Sequence, residues 1–292
     1  MQTFWDYLQL VILFGLLSVF SLWVARGQGF FILPNREVLK KYRMGFKSVF
    51  VLFAIYLLMT MVVAPLLVVF AQSIYRHLAT DNLPMAVLGW IQLLSLLGIF
   101  LLFFLYAKGC DPELFRRVWK DHTLANRKSI LTDFLMGIMT WFIALPVVLA
   151  IGQIADMFLY YVFQFESYEQ VAVRYLKETL QSPPLMVIAL FMILIAAPII
   201  EEFLFRGCLQ TFFKRYMTRP KAILLSSACF ALFHFASSQG LGNVSLILSL
   251  FTFALFLGFI YERQASLFAS IGLHMTFNAV STVRILFFPD AG

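Results

Sequence analysis

The apolar residues of this chain fall in eight long runs, at about 7 to 25, 48 to 72, 85 to 107, 131 to 163, 184 to 205, 222 to 238, 243 to 261 and 266 to 288, with short polar stretches between them. A bilayer core about 30 Å thick takes roughly 20 apolar residues of helix. Every backbone polar group at that depth must be bonded inside its own segment. The pattern therefore predicts an all-α, polytopic membrane helix bundle of about eight transmembrane helices. The fourth run is long enough to tilt or to leave the membrane, with Asp156 near its far end at the interface. The sixth is short and suits a place deep in the bundle. The first run has no Lys or Arg before it and closes on Trp23-Val24-Ala25-Arg26, so it reads as a first span rather than a signal peptide.

From Gln164 to Pro183, Tyr168, Val171, Ala172, Tyr175, Leu176 and Leu180 recur at helical spacing, with Glu169, Arg174, Lys177 and Glu178 on other faces. The segment reads as an amphipathic helix at the interface or as a structured loop. No repeat or low-complexity tract appears, so residues 1–292 read as a single membrane domain.

Composition agrees: 62% of the residues are hydrophobic and only 13% charged. The net charge of +7 would suggest a polyanion partner in a soluble protein. Here the basic residues cluster between apolar runs and report topology instead, so no nucleic acid is expected. The first connection holds Arg26, Arg36, Lys40, Lys41, Arg43 and Lys47, and the third Lys108, Arg116, Arg117, Lys120, Arg127 and Lys128. The fifth holds Lys214, Arg215, Arg219 and Lys221, whereas the second has only Arg76 and the sixth, Ala236 to Gly242, no charge. This alternation predicts that both termini are non-cytoplasmic. Cys110, Cys208 and Cys229 are scattered and show no CxxC spacing, so neither a disulfide framework nor a zinc cluster is expected.

The polar residues inside the apolar runs carry the chemistry. Glu201 and Glu202 end a run that began near Pro184, and an ionisable group within a span costs about 2.5 to 3.5 kcal/mol on insertion scales, so it generally has a partner or a task. Glu202 and Arg206 are four apart with the acid N-terminal, the favourable order for an ion pair on one helix face. Glu201 points about 100° away and is free to meet other helices. A Glu-Glu-x-x-x-Arg cluster can also simply mark the water interface at the end of a span. Against that reading, the next run contains Phe230 and His234, and the last contains His274 and Asn278, again four apart. His77 and His122 fall in loops and are assigned no role.

Glu201, His234, His274 and Asn278 thus offer a carboxylate, two imidazoles and an amide to one site. A carboxylate beside an imidazole can take a proton from water and return it to a leaving amine. An amide and an imidazole N–H can stabilise an oxyanion. A GxSxG elbow and an HExxH motif are both absent. Glu201, His234 and His274 would be the ligands if a divalent metal were present, but direct activation of water without a cofactor is the favoured reading.

These residues, in this order, resemble the motifs of the CPBP family, the CAAX prenyl proteases and bacteriocin-processing (Abi-type) proteins. The family pattern is EExxxR, FxxxH and HxxxN or HxxxD. It is matched by Glu201, Glu202 and Arg206, by Phe230 and His234, and by His274 and Asn278. The resemblance covers about residues 184 to 285 and leaves the spans of residues 1–183 unmatched. It implies an intramembrane glutamate-dependent endopeptidase acting on membrane-embedded or lipidated peptides, possible CAAX substrates among them. Glu201 and His234 would activate water, His274 and Asn278 would stabilise the oxyanion, and Glu202, Arg206 and Phe230 would organise the site. The absence of an organelle address favours a bacterial cytoplasmic membrane over the endoplasmic reticulum.

Two other readings use the same residues. A proton- or ion-coupled transporter would bind its ion at the buried Glu and His side chains, although no inverted repeat is visible. A non-catalytic scaffold or immunity-type protein would keep the fold for binding alone.

Overall fold

The computed structural model describes residues 4–34, 44–77, 84–110, 112–120, 129–165, 171–180 and 182–287. These residues form helices α1 (Phe4–Gly27), α2 (Phe46–His77), α3 (Met85–Cys110), α4 (Pro112–Trp119), α5 (Ile130–Phe163), α6 (Val171–Thr179), α7 (Pro183–Phe213), α8 (Arg219–Phe233), α9 (Gly242–Gln264) and α10 (Leu267–Phe287). Six of them, α1, α2, α3, α5, α7 and α9, are long and apolar enough to cross a membrane. The other two apolar runs correspond to α8, only 15 residues long, and α10, 21 residues long and bearing His274, Asn278 and Arg284. The chain is thus an all-α polytopic bundle. Leu and Phe on the outer faces, such as Leu16, Phe70 and Phe104, are exposed, as suits helices that face a bilayer.

The amphipathic helix expected after the fourth run is present as α6, with Leu176 buried, while Glu169 lies outside the described residues. So do Arg36, Lys40, Lys41, Arg43, Arg127, Lys128 and His122. His77 closes α2 rather than sitting in a loop. Asp156 lies within α5, half-buried.

Two apolar clusters meet along α9 and α10. One joins α2, α3, α4, α7 and α8 through Leu52, Ile99, Phe115, Phe203, Leu204 and Phe230. The other joins α1, α5, α9 and α10 through Ala25, Val148, Phe253, Leu257 and Leu273. The long helix α5 lies against α1, α9 and α10, and α7 lies among α2, α8, α9 and α10.

Where α5 crosses α10, backbone meets backbone. A Cβ built on Gly137 would strike Ala269 and Leu273 of α10, and one on Gly272 would stand 2.5 Å from the Phe134 carbonyl oxygen. Small residues permit this approach, the usual device of membrane helix pairs. Lys120, at the end of α4, reaches Asp133 in the first turn of α5 at 2.8 Å, both buried, and its backbone bridges to Ser266. The basic loop thus turns one of its charges inward, because Asp133 neutralises it there.

Candidate active site

Helix α7 supplies the carboxylates and is not a plain α-helix. Met192–Ala196 forms a wider π turn, Ala197–Glu202 returns to α geometry, and Phe203–Gln210 widens again. The first widening has a local cause in Pro198, which lacks an N–H and whose ring clashes with the carbonyl four residues back. In the π turn the Ala197 amide reaches back five residues to the Met192 carbonyl. The next amide in that series would serve the Ile193 carbonyl, but residue 198 is proline.

The donor comes from α10 instead: Asn278 Nδ2 donates to the Ile193 carbonyl at 2.9 Å. The broken ladder of one helix is therefore repaired by a side chain of another, as the absence of water at membrane depth requires. Pro65 follows a similar π turn, Met59–Val63, in α2.

His234 stands just past the last helical residue of α8 rather than inside the helix. It is the residue on which α8 ends, followed by an irregular stretch with a short 3-10 turn at Ser237–Gln239. Its backbone amide bonds the Ala231 carbonyl, three residues back, which leaves the Phe230 carbonyl unserved. The His234 ring fills the gap, Nδ1 to the Phe230 oxygen at 2.8 Å. A carbonyl only accepts, so Nδ1 carries the proton and Nε2 faces the site. Asn243 ties down the segment that follows, accepting from the Ala236 amide at 3.0 Å and donating to the Ala236 and Gly240 carbonyls.

The buried centre is held by charge. Glu202 and Arg206 are almost wholly enclosed, at 0% and 1% exposure. Arg206 donates from one terminal nitrogen to Glu202 Oε1 at 3.0 Å and from the other to the Ala254 carbonyl of α9 at 3.2 Å. The Phe230 ring lies under the guanidinium, 4.4 Å from its centroid. His274 Nδ1 meets the same Glu202 oxygen at 2.9 Å, with Phe253 edge-on at 5.5 Å. Glu202 thus pairs with Arg206 on its own helix and fixes the His274 ring from another.

Glu201 faces the two imidazoles. Its Oε2 is 3.7 Å from His234 Nε2 and 3.9 Å from His274 Nε2, longer than direct hydrogen bonds. Its side chain is 15% exposed and that of His234 is 29% exposed, whereas Glu202 is sealed. Of two adjacent carboxylates, one holds the site together and the other meets a reachable space. The three groups facing one another, Glu201, His234 and His274, are the side chains that would hold a metal. Among the described residues, however, no set of three or more His, Cys, Asp or Glu side chains is arranged as a metal site.

Below the centre the same contact repeats every turn. Gln210 donates to the Gly258 carbonyl at 3.1 Å and to Glu262 at 3.0 Å, and Lys214 reaches Glu262 at 2.7 Å. Burial works against the Lys214 charge, but Glu262 outweighs it and holds the ammonium above its ordinary pKa. Residues 206, 210 and 214 of the α7 chain thus climb 254, 258 and 262 of α9. None of these partners is visible in the sequence, because each pair is about 50 residues apart and a lone Gln or Glu near a helix end gives no signal.

Tyr56 was also missed by sequence reading. It lies in α2, its ring 5.8 Å from Phe233. Tyr56 and Glu201 both line a cavity of about 700 Å3 between α2, α3 and α7, together with Thr60, Ser95, Leu96 and Ile200.

Residues 183–280 match the model of the Rce1-like family, described as type II CAAX prenyl endopeptidase Rce1-like. The matched stretch runs from the start of α7 into α10 and contains every residue of the constellation. It bears out the resemblance to the CPBP or CAAX protease family and supports a membrane protease. Comparisons with curated proteins and with solved structures give no match.

Proposed function

We propose that the protein is an intramembrane endopeptidase in which Glu201 and His234 activate a water molecule for attack on a peptide bond. The observation that carries this reading is the approach of Glu201 Oε2 to two imidazole Nε2 atoms, at 3.7 and 3.9 Å, with the Nδ1 atom of each ring already engaged. A water between Glu201 and His234 would give one proton to the carboxylate while its oxygen attacks the carbonyl carbon. The tetrahedral oxyanion would be met by the second N–H of the Asn278 amide, the first being held by Ile193. His274 donates Nδ1–H to Glu202, so it can offer an N–H at Nε2 only as imidazolium. Collapse breaks the C–N bond, and the amine leaves with the proton returned through Glu201. Glu202, Arg206 and Phe230 position His274 and take no proton.

No cofactor is required by this sequence of steps. The substrates are membrane-embedded or lipidated peptides, and the matched family makes a prenylated CAAX peptide the first to try. We place the reaction in a bacterial cytoplasmic membrane. In proteoliposomes, a fluorogenic farnesylated CAAX peptide or an unprenylated transmembrane peptide is expected to be cleaved by the protein and not by Glu201→Gln. Equal cleavage by both proteins would remove Glu201 from the mechanism, and no cleavage of either peptide counts against the peptidase reading for these substrates.

A further inference from the structure

Helix α8 ends at Phe233 without any of the residues that ordinarily stop a helix. From His234 to Gln239 the chain holds no glycine or proline, and Phe235 and Ala236 continue the apolar run. The backbone nevertheless turns out. The His234 and Phe235 amides reach back only three residues, to the Ala231 and Leu232 carbonyls at 3.1 Å each, and Ala236 is extended, at φ −127° and ψ 119°. A contact from outside the segment has to hold it there.

Asn243, in the first turn of α9 and only 4% exposed, makes that contact. Its Oδ1 accepts from the Ala236 amide at 3.0 Å, and its Nδ2 donates to the Ala236 carbonyl at 2.8 Å and to the Gly240 carbonyl at 3.0 Å. Both backbone groups of the first extended residue are thereby taken. In a continuing helix the Ala236 amide would serve the Leu232 carbonyl instead, four residues back. Gly240, at φ +50°, lets the chain turn back towards Asn243 in a conformation that residues with a Cβ rarely adopt.

We propose, resting on the peptidase reading, that Asn243 is the stop of α8 and through it a positioning residue that holds His234 against Glu201. Were α8 to run on, the His234 amide would move to the Phe230 carbonyl, the acceptor that His234 Nδ1 now holds at 2.8 Å. The ring would lose the bond that keeps its proton on Nδ1 and turns Nε2 to Glu201 Oε2, 3.7 Å away. Helix α9 suits the task because its next contacts fix the carboxylates. About three turns beyond Asn243, the Ala254 carbonyl receives Arg206, the partner of Glu202. A helix with no reacting group of its own thus sets the imidazole against the carboxylate.

The test uses the full-length protein in detergent, its histidines labelled with heavy nitrogen for NMR and His234 assigned with His234→Gln. At a pH that keeps the ring neutral, His234 is expected to show one protonated and one bare nitrogen, and Asn243→Ala to average the two by tautomer exchange. On the peptide that the protein cleaves, Asn243→Ala should lower kcat about 10²-fold with KM held within about threefold. Ser237→Pro supplies a local stop, because a proline there holds the residue before it in the extended region that Ala236 already occupies. Alone it should change neither readout, and added to Asn243→Ala it should recover about tenfold of the lost rate. Should Asn243→Ala fail to fold, Asn243→Asp, which keeps the acceptor for the Ala236 amide and loses both donors, is read in its place. An unchanged ring signature, an unchanged kcat, or a rate loss that Ser237→Pro leaves untouched overturns the proposal. Failure of the peptidase reading shows differently, as equal cleavage by the protein and by Glu201→Gln while the ring signature still follows Asn243.

Discussion

Asn278 donates its side-chain amide to the backbone carbonyl of Ile193 at 2.9 Å, joining α10 to the π turn that precedes the two glutamates. The carbonyl needs this donor because Pro198 has no N–H to give it. A residue read from its motif as an oxyanion donor therefore also has a structural task.

The two tasks separate in a mutant cycle. Asn278→Ala is expected to cost about 1 to 3 kcal/mol of stability, the penalty of a buried carbonyl left unbonded. Pro198→Ala restores an amide at the position that serves Ile193, so in that background the stability cost of Asn278→Ala should shrink. The loss in kcat, expected near 10²- to 10³-fold for an oxyanion donor, should persist. Thermal unfolding in detergent and single-turnover cleavage measure the two effects. If rate and stability recover together, Asn278 is structural only.

Arg206 and Glu202 give a different kind of prediction. Both are sealed from solvent, and removing one partner strands the other charge. Arg206→Met should destabilise the protein by about 3 to 5 kcal/mol, seen as a lower Tm, and the double change Glu202→Gln with Arg206→Met should recover part of it. Activity should stay low in the double variant, because His274 Nδ1 then faces an amide in place of a carboxylate. A double variant no more stable than the single one would show that the pair's charges do not set the cost.

Cleavage should survive metal removal. With Glu201, His234 and water as the acting groups, 1,10-phenanthroline or EDTA is expected to leave the rate within about twofold, whereas the first-row metal of a zinc peptidase would be stripped and its activity lost. Chelator-sensitive activity restored by zinc would assign Glu201, His234 and His274 as ligands instead.

Much of the architecture is legible in the chain, because apolar runs of bilayer length admit only helix. The spacing Glu202-x-x-x-Arg206 likewise gives a pair on one face, and the structure forms it at 3.0 Å despite the π turn that begins at Phe203. The division of labour between Glu201 and Glu202 also follows from their 100° separation. Less legible is the end of α8 at Phe233, since the apolar pattern runs on to Ala236 while the backbone turns out at His234. Tyr56, Gln210 and Glu262 gave no signal, because what they meet lies on other helices and a single polar residue in an apolar run says nothing of its partner.

The crossing of α5 and α10 gives the most severe prediction of a distant effect. Gly137 touches no acid, base or amide of the site, yet its Cα faces the backbone of Ala269 and Leu273, the residue before His274. A methyl group there meets backbone atoms, which cannot rotate aside as a side chain can, so α10 must move. A displacement near 1 Å at a reacting group costs on the order of 10²-fold in rate. Gly137→Ala is therefore expected to lower kcat about 10²-fold and to reduce Tm, with the protein still eluting as a single species in detergent. Gly15→Ala, where a Cβ meets nothing within 4 Å, is the matched control and should change neither. Full activity in Gly137→Ala would mean that α10 yields without moving His274, and the close crossing would then have no part in holding the site.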